Sequence, residues 1–279
     1  MPRIASRPAL IGAAFIATVA SALTALAQAP SEAPEVTLTR LDCGSSPEEV
    51  SVARFSDTFA YPDLKLKLTY SCYLIKHGSD YMIWDAGNAM GSDPRAPKTS
   101  LPDLLGQLKV SPEQVKFLGV SHYHGDHIGQ AASFPKATLL IGKGDWDVLS
   151  GPPQLGVNPK LVEPWISGGS KVEPQSADRK DVFGDGTVIM LNTPGHTPGH
   201  HSLLVKLKET GNVLLTGDIA HFEENYASNG VPSFNTNRAD TLASLDRFKK
   251  IAENLKAKVV IQHDPRDVPK LPAFPAAAK

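Results

Sequence analysis

Apolar and polar residues alternate along residues 36–41, the period-two pattern of a strand with one buried face. Residues 66–76 and 81–84 read as two more strands, joined by a turn at His77-Gly78-Ser79-Asp80. The second runs into Asp85-Ala86-Gly87, a strand-end turn. Residues 55–64 are aromatic but contain Pro62, which predicts a loop, and 91–98 form another. Residues 101–108 carry helical spacing behind Ser100 as a cap. The run Phe117-Leu118-Gly119-Val120 predicts a buried strand and residues 137–141 a second. Between them a short helix over 128–133 stops near Pro135, and another helix opens at 144–149.

Residues 151–180 hold Pro152, Pro153, Pro159, Pro164 and Pro174 with several glycines, an irregular stretch of the kind that covers active sites. Strands follow at 188–191, 202–207, 213–216 and 258–262. Before the last of them, Leu242, Leu245, Phe248, Ala252 and Leu255 recur at three- and four-residue spacing. That spacing predicts an amphipathic helix over 238–256 with Asn237 as its cap, and the Pro/Ala-rich C-terminus is expected to fray. No internal repeat interrupts the pattern, so residues 28–279 are expected to form one domain behind a loose leader at 28–35.

Composition changes the picture only at the N-terminus. Arg3 and Arg7 precede an apolar, alanine-rich run over residues 9–26, closed by Ala25-Leu26-Ala27 and Gln28. This is the layout of a secretory signal over residues 1–27, with a permanent membrane anchor as the alternative. Residues 1–27 carry two arginines and no acid, so their removal takes the formal charge from −1 to −3. The expected product is periplasmic or secreted, and soluble. Its charge balance gives no support to nucleic acid as a partner; a small molecule is the expected one. In an oxidising compartment Cys43 and Cys72 either pair or remain two buried thiols.

The candidate chemistry begins where the strand at 117–120 ends, in Ser121-His122-Tyr123-His124-Gly125-Asp126-His127. Alternation along an extended chain lets His122 and His124 face one point, and the turn at Gly125 delivers Asp126 and His127 to a neighbouring one. Donors of this kind without thiolate suit zinc best, with manganese, iron or cobalt as alternatives. Three further strand endings carry potential ligands: His196 in Thr193-Pro194-Gly195-His196-Thr197-Pro198-Gly199-His200, Asp218 in Thr216-Gly217-Asp218, and His263 in Gln262-His263-Asp264.

The order His122-x-His124-x-Asp126-His127, then His196, Asp218 and His263, resembles the metallo-β-lactamase superfamily. The resemblance implies an αββα sandwich, two mixed sheets face to face with helices outside. It also implies two metal ions, expected to be Zn2+. His122, His124 and His196 would hold one, Asp126, His127 and His263 the other, with Asp218 bridging. Asp85 would support the site without binding metal. A bridging hydroxide would attack a carbonyl carbon or a phosphorus, with Asp126 orienting it or passing a proton to the leaving group. The separations of 69, 22 and 45 residues along His127, His196, Asp218 and His263 are similar to those of N-acyl-homoserine lactonases. In those enzymes a tyrosine lies three residues after the bridging aspartate; here the position is His221, a candidate catalytic residue.

The expected activity is opening of lactones. A phosphotriester, an aryl ester or a β-lactam on the same metals is the alternative, and a non-catalytic metal-binding protein the remaining one. Phe222, Tyr226, Phe234, Trp146 and Trp165 are candidates for an apolar pocket, His200 or His201 for support of a ligand, and His77 for a solvated turn.

Overall fold

The computed structural model describes Met1, Pro2, residues 34–91 and residues 93–279. The apolar run and cleavage site at the N-terminus lie outside the described residues. Residues 34–279 form one compact unit.

The first sheet starts with β1 (Val36–Ser45); a two-stranded ribbon of β2 (Val50–Ser51) and β3 (Lys65–Leu66) stands apart from it. β4 (Thr69–His77) pairs antiparallel with β1 and with β5 (Asp80–Trp84). β6 (Val115–Gly119), β7 (Thr138–Gly142) and β8 (Val172–Gln175) then add in parallel. The second sheet contains β9 (Arg179–Asp181), β10 (Val188–Asn192), β11 (His201–Leu207), β12 (Gly211–Leu215) and β13 (Lys258–Val260) in order, parallel only between β12 and β13.

Alternation decides which layer each side chain joins. Tyr73, Ile75, Met82 and Trp84 enter the core shared with Met190, Leu203, Val205, Val213 and Leu215 of the second sheet. Their neighbours Cys72, Leu74 and Ile83 face the other way, with Leu101, Leu104 and Leu105 of the helix Leu101–Gln107. On the far face, Leu191, Leu204 and Leu214 meet Leu245, Phe248 and Ala252 of the helix Arg238–Leu255. Helix, sheet, sheet, helix is the expected αββα sandwich. Both anticipated caps form: Ser100 accepts from the Asp103 amide and Asn237 from the Asp240 amide.

Three expectations need correction. The C-terminus does not fray: Ala278 is buried and exchanges both backbone hydrogen bonds with Leu38, filling the free side of edge strand β1. Residues 151–180 are not wholly irregular, because they include the helix Glu163–Ile166, β8 and the start of β9. Pro164 sits in the first turn of that helix and Pro174 in edge strand β8, two places that tolerate proline. The helix expected over 128–133 is displaced: one α-turn spans Gly125–Ile128 and a 3-10 turn Ala131–Ser133.

Cys43 and Cys72 are joined, with Cα atoms 5.8 Å apart and a sequence separation of 29. The bond ties β1 to β4 and packs beneath Gly87, next to the Asp85 turn. Closing a loop of this length stabilises by about 3–4 kcal/mol on the chain-entropy model. The double variant Cys43→Ala/Cys72→Ala is expected to lose that much in denaturant unfolding. A loss under about 1 kcal/mol would show that the link does not restrict the unfolded chain.

Candidate metal centre

Every candidate ligand sits just beyond the C-terminal end of a strand, and all of these ends lie along one edge of the sandwich. β6 ends at Gly119 and leads into Ser121 and His122. His124 caps the turn Gly125–Ile128, which carries Asp126 and His127. The turn after β10 carries His196, β12 leads to Asp218, and β13 to His263. Two glycines set these turns. Gly195 has φ +132° and lies so close to Thr241 that a Cβ there would stand 2.3 Å from its amide nitrogen. Gly217 has φ +57°, and a Cβ would stand 2.6 Å from Nε2 of His200.

The seven residues form two groups, His122, His124, His196 and Asp218, then Asp126, His127 and His263. In the first, His122 Nε2 lies 2.9 Å from His124 Nδ1 and 3.2 Å from His196 Nε2, and the last two are 3.0 Å apart. Donors around a tetrahedral zinc stand about 3.3 Å apart, given bonds of about 2.0–2.1 Å, so this triangle fits such an ion. Asp218 faces both groups. Its Oδ2 is 3.6 Å from His122 Nε2 and 3.4 Å from His196 Nε2. Its Oδ1 is 3.2 Å from His127 Nε2 and 2.9 Å from His263 Nε2. Asp126 Oδ2 stands 4.0 and 3.9 Å from the same two nitrogens. Asp218 Oδ1 is buried with no hydrogen-bond partner, which suits a position reserved for a cation.

The far nitrogens are held in turn. Asp85 Oδ2 accepts from Nδ1 of His127, Ser121 Oγ and Gln262 Nε2, while Oδ1 takes the Ser121 amide. His196 Nδ1 meets Asn235 Oδ1 and His263 Nδ1 donates to the Thr69 carbonyl. Such partners fix tautomer and ring plane around a metal. His200 is buried, donates through Nδ1 to the Thr193 carbonyl, and accepts the Asp218 amide at Nε2. Burial lowers its pKa to about 3, so it acts as a neutral acceptor.

Electrostatics follow the geometry. Burial holds His122 and His196 well below the ordinary imidazole value, leaving neutral rings. Burial opposes charge on His127 and His263 too, but Asp218 and the neighbouring carboxylates outweigh it and raise both. Burial likewise disfavours the Asp218 anion, yet His263 and His127 hold its carboxyl well below the usual range.

Several candidates lie elsewhere. Trp165 is in the core with its Nε1 donating to the Ala137 carbonyl, and Trp146 packs against the same core. Phe222 follows His221 on extended backbone, so it points the opposite way, into Val52, Phe55 and Tyr61. Tyr226 packs on Phe248. His201 is buried with Nδ1 on the Gly199 carbonyl, and His77 stacks on Phe183 while pairing with Asp185, so neither is a solvated group.

Phe234 and His221 do line the cavity of about 220 Å3 above Asp126 and Asp218. Sequence reasoning missed Arg54, Phe55, Leu68, Tyr70 and Arg95, which complete its wall. Only the aromatic character of residues 55–64 hinted at them. It also missed Asp145, a buried carboxylate taking the Tyr123 and Gly199 amides and the Thr197 hydroxyl. Burial pushes it up to about 7, and its three donors tie together the two loops bearing His122, His124 and His196.

The sequence model of the metallo-beta-lactamase superfamily matches residues 67–263. The N-acyl homoserine lactonase AttM of Azorhizobium caulinodans is 31% identical over 212 residues, 69% of this chain and 81% of that one. An N-acyl homoserine lactonase of Bacillus cereus is 28% identical over 223 residues, 73% and 84% of the two chains. A solved N-acyl homoserine lactone hydrolase, with the product N-hexanoyl-L-homoserine bound at its catalytic metal center, superposes with a TM-score of 0.72. That likeness covers 88% of this chain and all of the other at 20% identity, and shows a shared fold. With the family model covering every strand of the two sheets except β1, and all seven clustered residues, the chain belongs to the metallo-beta-lactamase superfamily and is one of its hydrolases.

Proposed function

We propose that this hydrolase opens lactones, N-acyl-homoserine lactones foremost, and that it works with two zinc ions. The observation that carries the proposal is Asp218, whose two oxygens face two separate groups of imidazole and carboxylate donors. His122, His124 and His196 would hold one zinc, Asp126, His127 and His263 the other, and Asp218 both. When bound, two such ions would supply Lewis acidity and lower the pKa of a bound water to about 7. Asp126 is the more exposed of the two ligand carboxylates that line the cavity; its second oxygen would orient the attacking water and pass the proton to the departing ring oxygen. His221 Nε2 lies 3.1 Å from Asp218 Oδ2 and would hold that carboxylate in place by donating to it. A cavity of about 220 Å3 accepts a lactone ring and its amide, leaving an acyl chain to run out past Phe234.

The lactonase names of the relatives support this substrate, while histidine at position 221 favours testing others beside it. Acid release by the zinc-loaded protein would be followed on short- and long-chain acyl-homoserine lactones, γ-lactones, an aryl phosphotriester and a β-lactam. The highest kcat/KM is expected on an acyl-homoserine lactone. Turnover of the phosphotriester or β-lactam alone would keep the metals and remove the lactone.

Acid should empty the site in a set order. Ligand histidines must be neutral, and protons compete best where the folded pKa is raised. His127 and His263 are raised, His122 and His196 lowered, so falling pH protonates the former pair first. Zinc content is therefore expected to pass through one ion per chain as pH falls. Loss of both ions in a single step would contradict this.

We also propose export, with residues 1–27 removed; the basic and apolar pattern and the Cys43–Cys72 bond support it. The mass of the protein recovered from a periplasmic extract should begin at Gln28.

A further inference from the structure

The cavity wall holds two guanidiniums, and they differ in one respect. Arg95 is occupied: its Nε and terminal nitrogen grip Asp93 at 3.1 and 2.8 Å. The nearest acid in sequence to Arg54, Asp57, is taken by Arg238. Among the described residues no carboxylate lies within salt-bridge distance of Arg54, and its side chain is exposed at the cavity wall. Its position is nonetheless set. The guanidinium carbon lies 4.9 Å from the ring centroid of Phe234 and 5.3 Å from that of Phe55. Phe234 in turn packs on His196 and His221, and Phe55 on His221, with centroids 4.5–6.0 Å apart. The Arg54 carbonyl also accepts the amide and hydroxyl of Ser233, joining the two segments that carry these rings. The charge thus stands one aromatic layer outside the ligand histidines, at the wall of the cavity that the substrate would enter. The two rings hold the guanidinium carbon beside them and leave its N–H groups for a planar, bidentate acceptor.

We propose that Arg54 is a specificity residue that reads a carboxylate on the far end of the substrate's acyl arm, so that preferred substrates are lactones or esters bearing such an acid. The inference rests on the metal pocket being the hydrolytic site, and extends that reading by a substrate class. Neutral arms make only the apolar contacts to Phe55 and Phe234; acidic arms add a charge-assisted pair.

Binding tests this without requiring turnover, so it can fail while the lactonase reading stands, and the reverse. The probes are two ring-opened compounds of equal length, N-hexanoyl-homoserine and N-adipoyl-homoserine, which differ by a terminal methyl or carboxylate. Each is titrated calorimetrically into the zinc-loaded full chain at low salt. The adipoyl compound is expected to bind about tenfold more tightly, with the gap shrinking as salt rises. In Arg54→Ala the gap should fall below twofold at unchanged zinc content, and Arg54→Lys should restore part of it. Equal affinities in the unaltered protein, failure of both compounds to bind, or a gap that survives Arg54→Ala would overturn the proposal.

Discussion

An Asp218→Ala variant is expected to hold fewer than two zinc ions per chain and to lose on the order of 10³-fold in kcat/KM, equivalent to about 4 kcal/mol. The size follows from position. Asp218 is the single carboxylate facing both donor groups, and it is nearly fully buried, so its loss would leave the two groups, with their five imidazoles, no shared anion to hold two cations together. It also leaves His221 Nε2 without its acceptor. The fold should persist, because the sandwich core does not include Asp218. Zinc content, turnover and thermal unfolding measured on one preparation separate these effects. Two zinc ions with turnover within tenfold of the parent would remove Asp218 from the centre.

His221→Phe should behave differently. Its ring packs at 4.5 Å on Phe55 and lies nearly parallel to His263, contacts that phenylalanine can keep. What disappears is the Nε2 donor to Asp218 Oδ2. Both zinc ions are expected to remain while kcat/KM falls about 10–100-fold, the scale of losing a partner that orients a metal ligand. Restoration of part of the loss in His221→Tyr would assign the effect to a hydrogen bond. An unchanged kcat/KM in the phenylalanine variant would make the residue packing alone.

The two substitutions mark what was readable in the sequence. Ligand candidates were legible because each follows a recognisable strand, and strand ends of one sandwich fall along one edge; Asp218 after Val213-Leu214-Leu215 is the plainest case. The strands β4 and β5 were legible as strands, though not which of their side chains enter which layer, because β4 is buried on both faces. Apart from Phe234 and His221, the cavity wall was not legible. Arg54 and Phe55, Tyr70 and Arg95 come from three distant segments, and nothing local distinguishes a ring lining the cavity from one in the core. Trp165 and Phe222 illustrate this: both are aromatic, both adjoin the site in sequence or fold, and both face away. Asp145 escaped for a related reason, since its role depends on Thr197 and Gly199, more than fifty residues away. Ala278 escaped because edge-strand pairing has no signature in a Pro/Ala-rich tail.

The central claim is a centre of two ions that opens lactones, and a zinc titration tests it most directly. Chelator-stripped protein would receive zinc stepwise while bound metal and ring opening of N-hexanoyl-homoserine lactone are both measured. Turnover is expected to rise with the metal and level off at two ions per chain. Full turnover at one ion, turnover in the stripped protein, or two bound ions with no ring opening would contradict it.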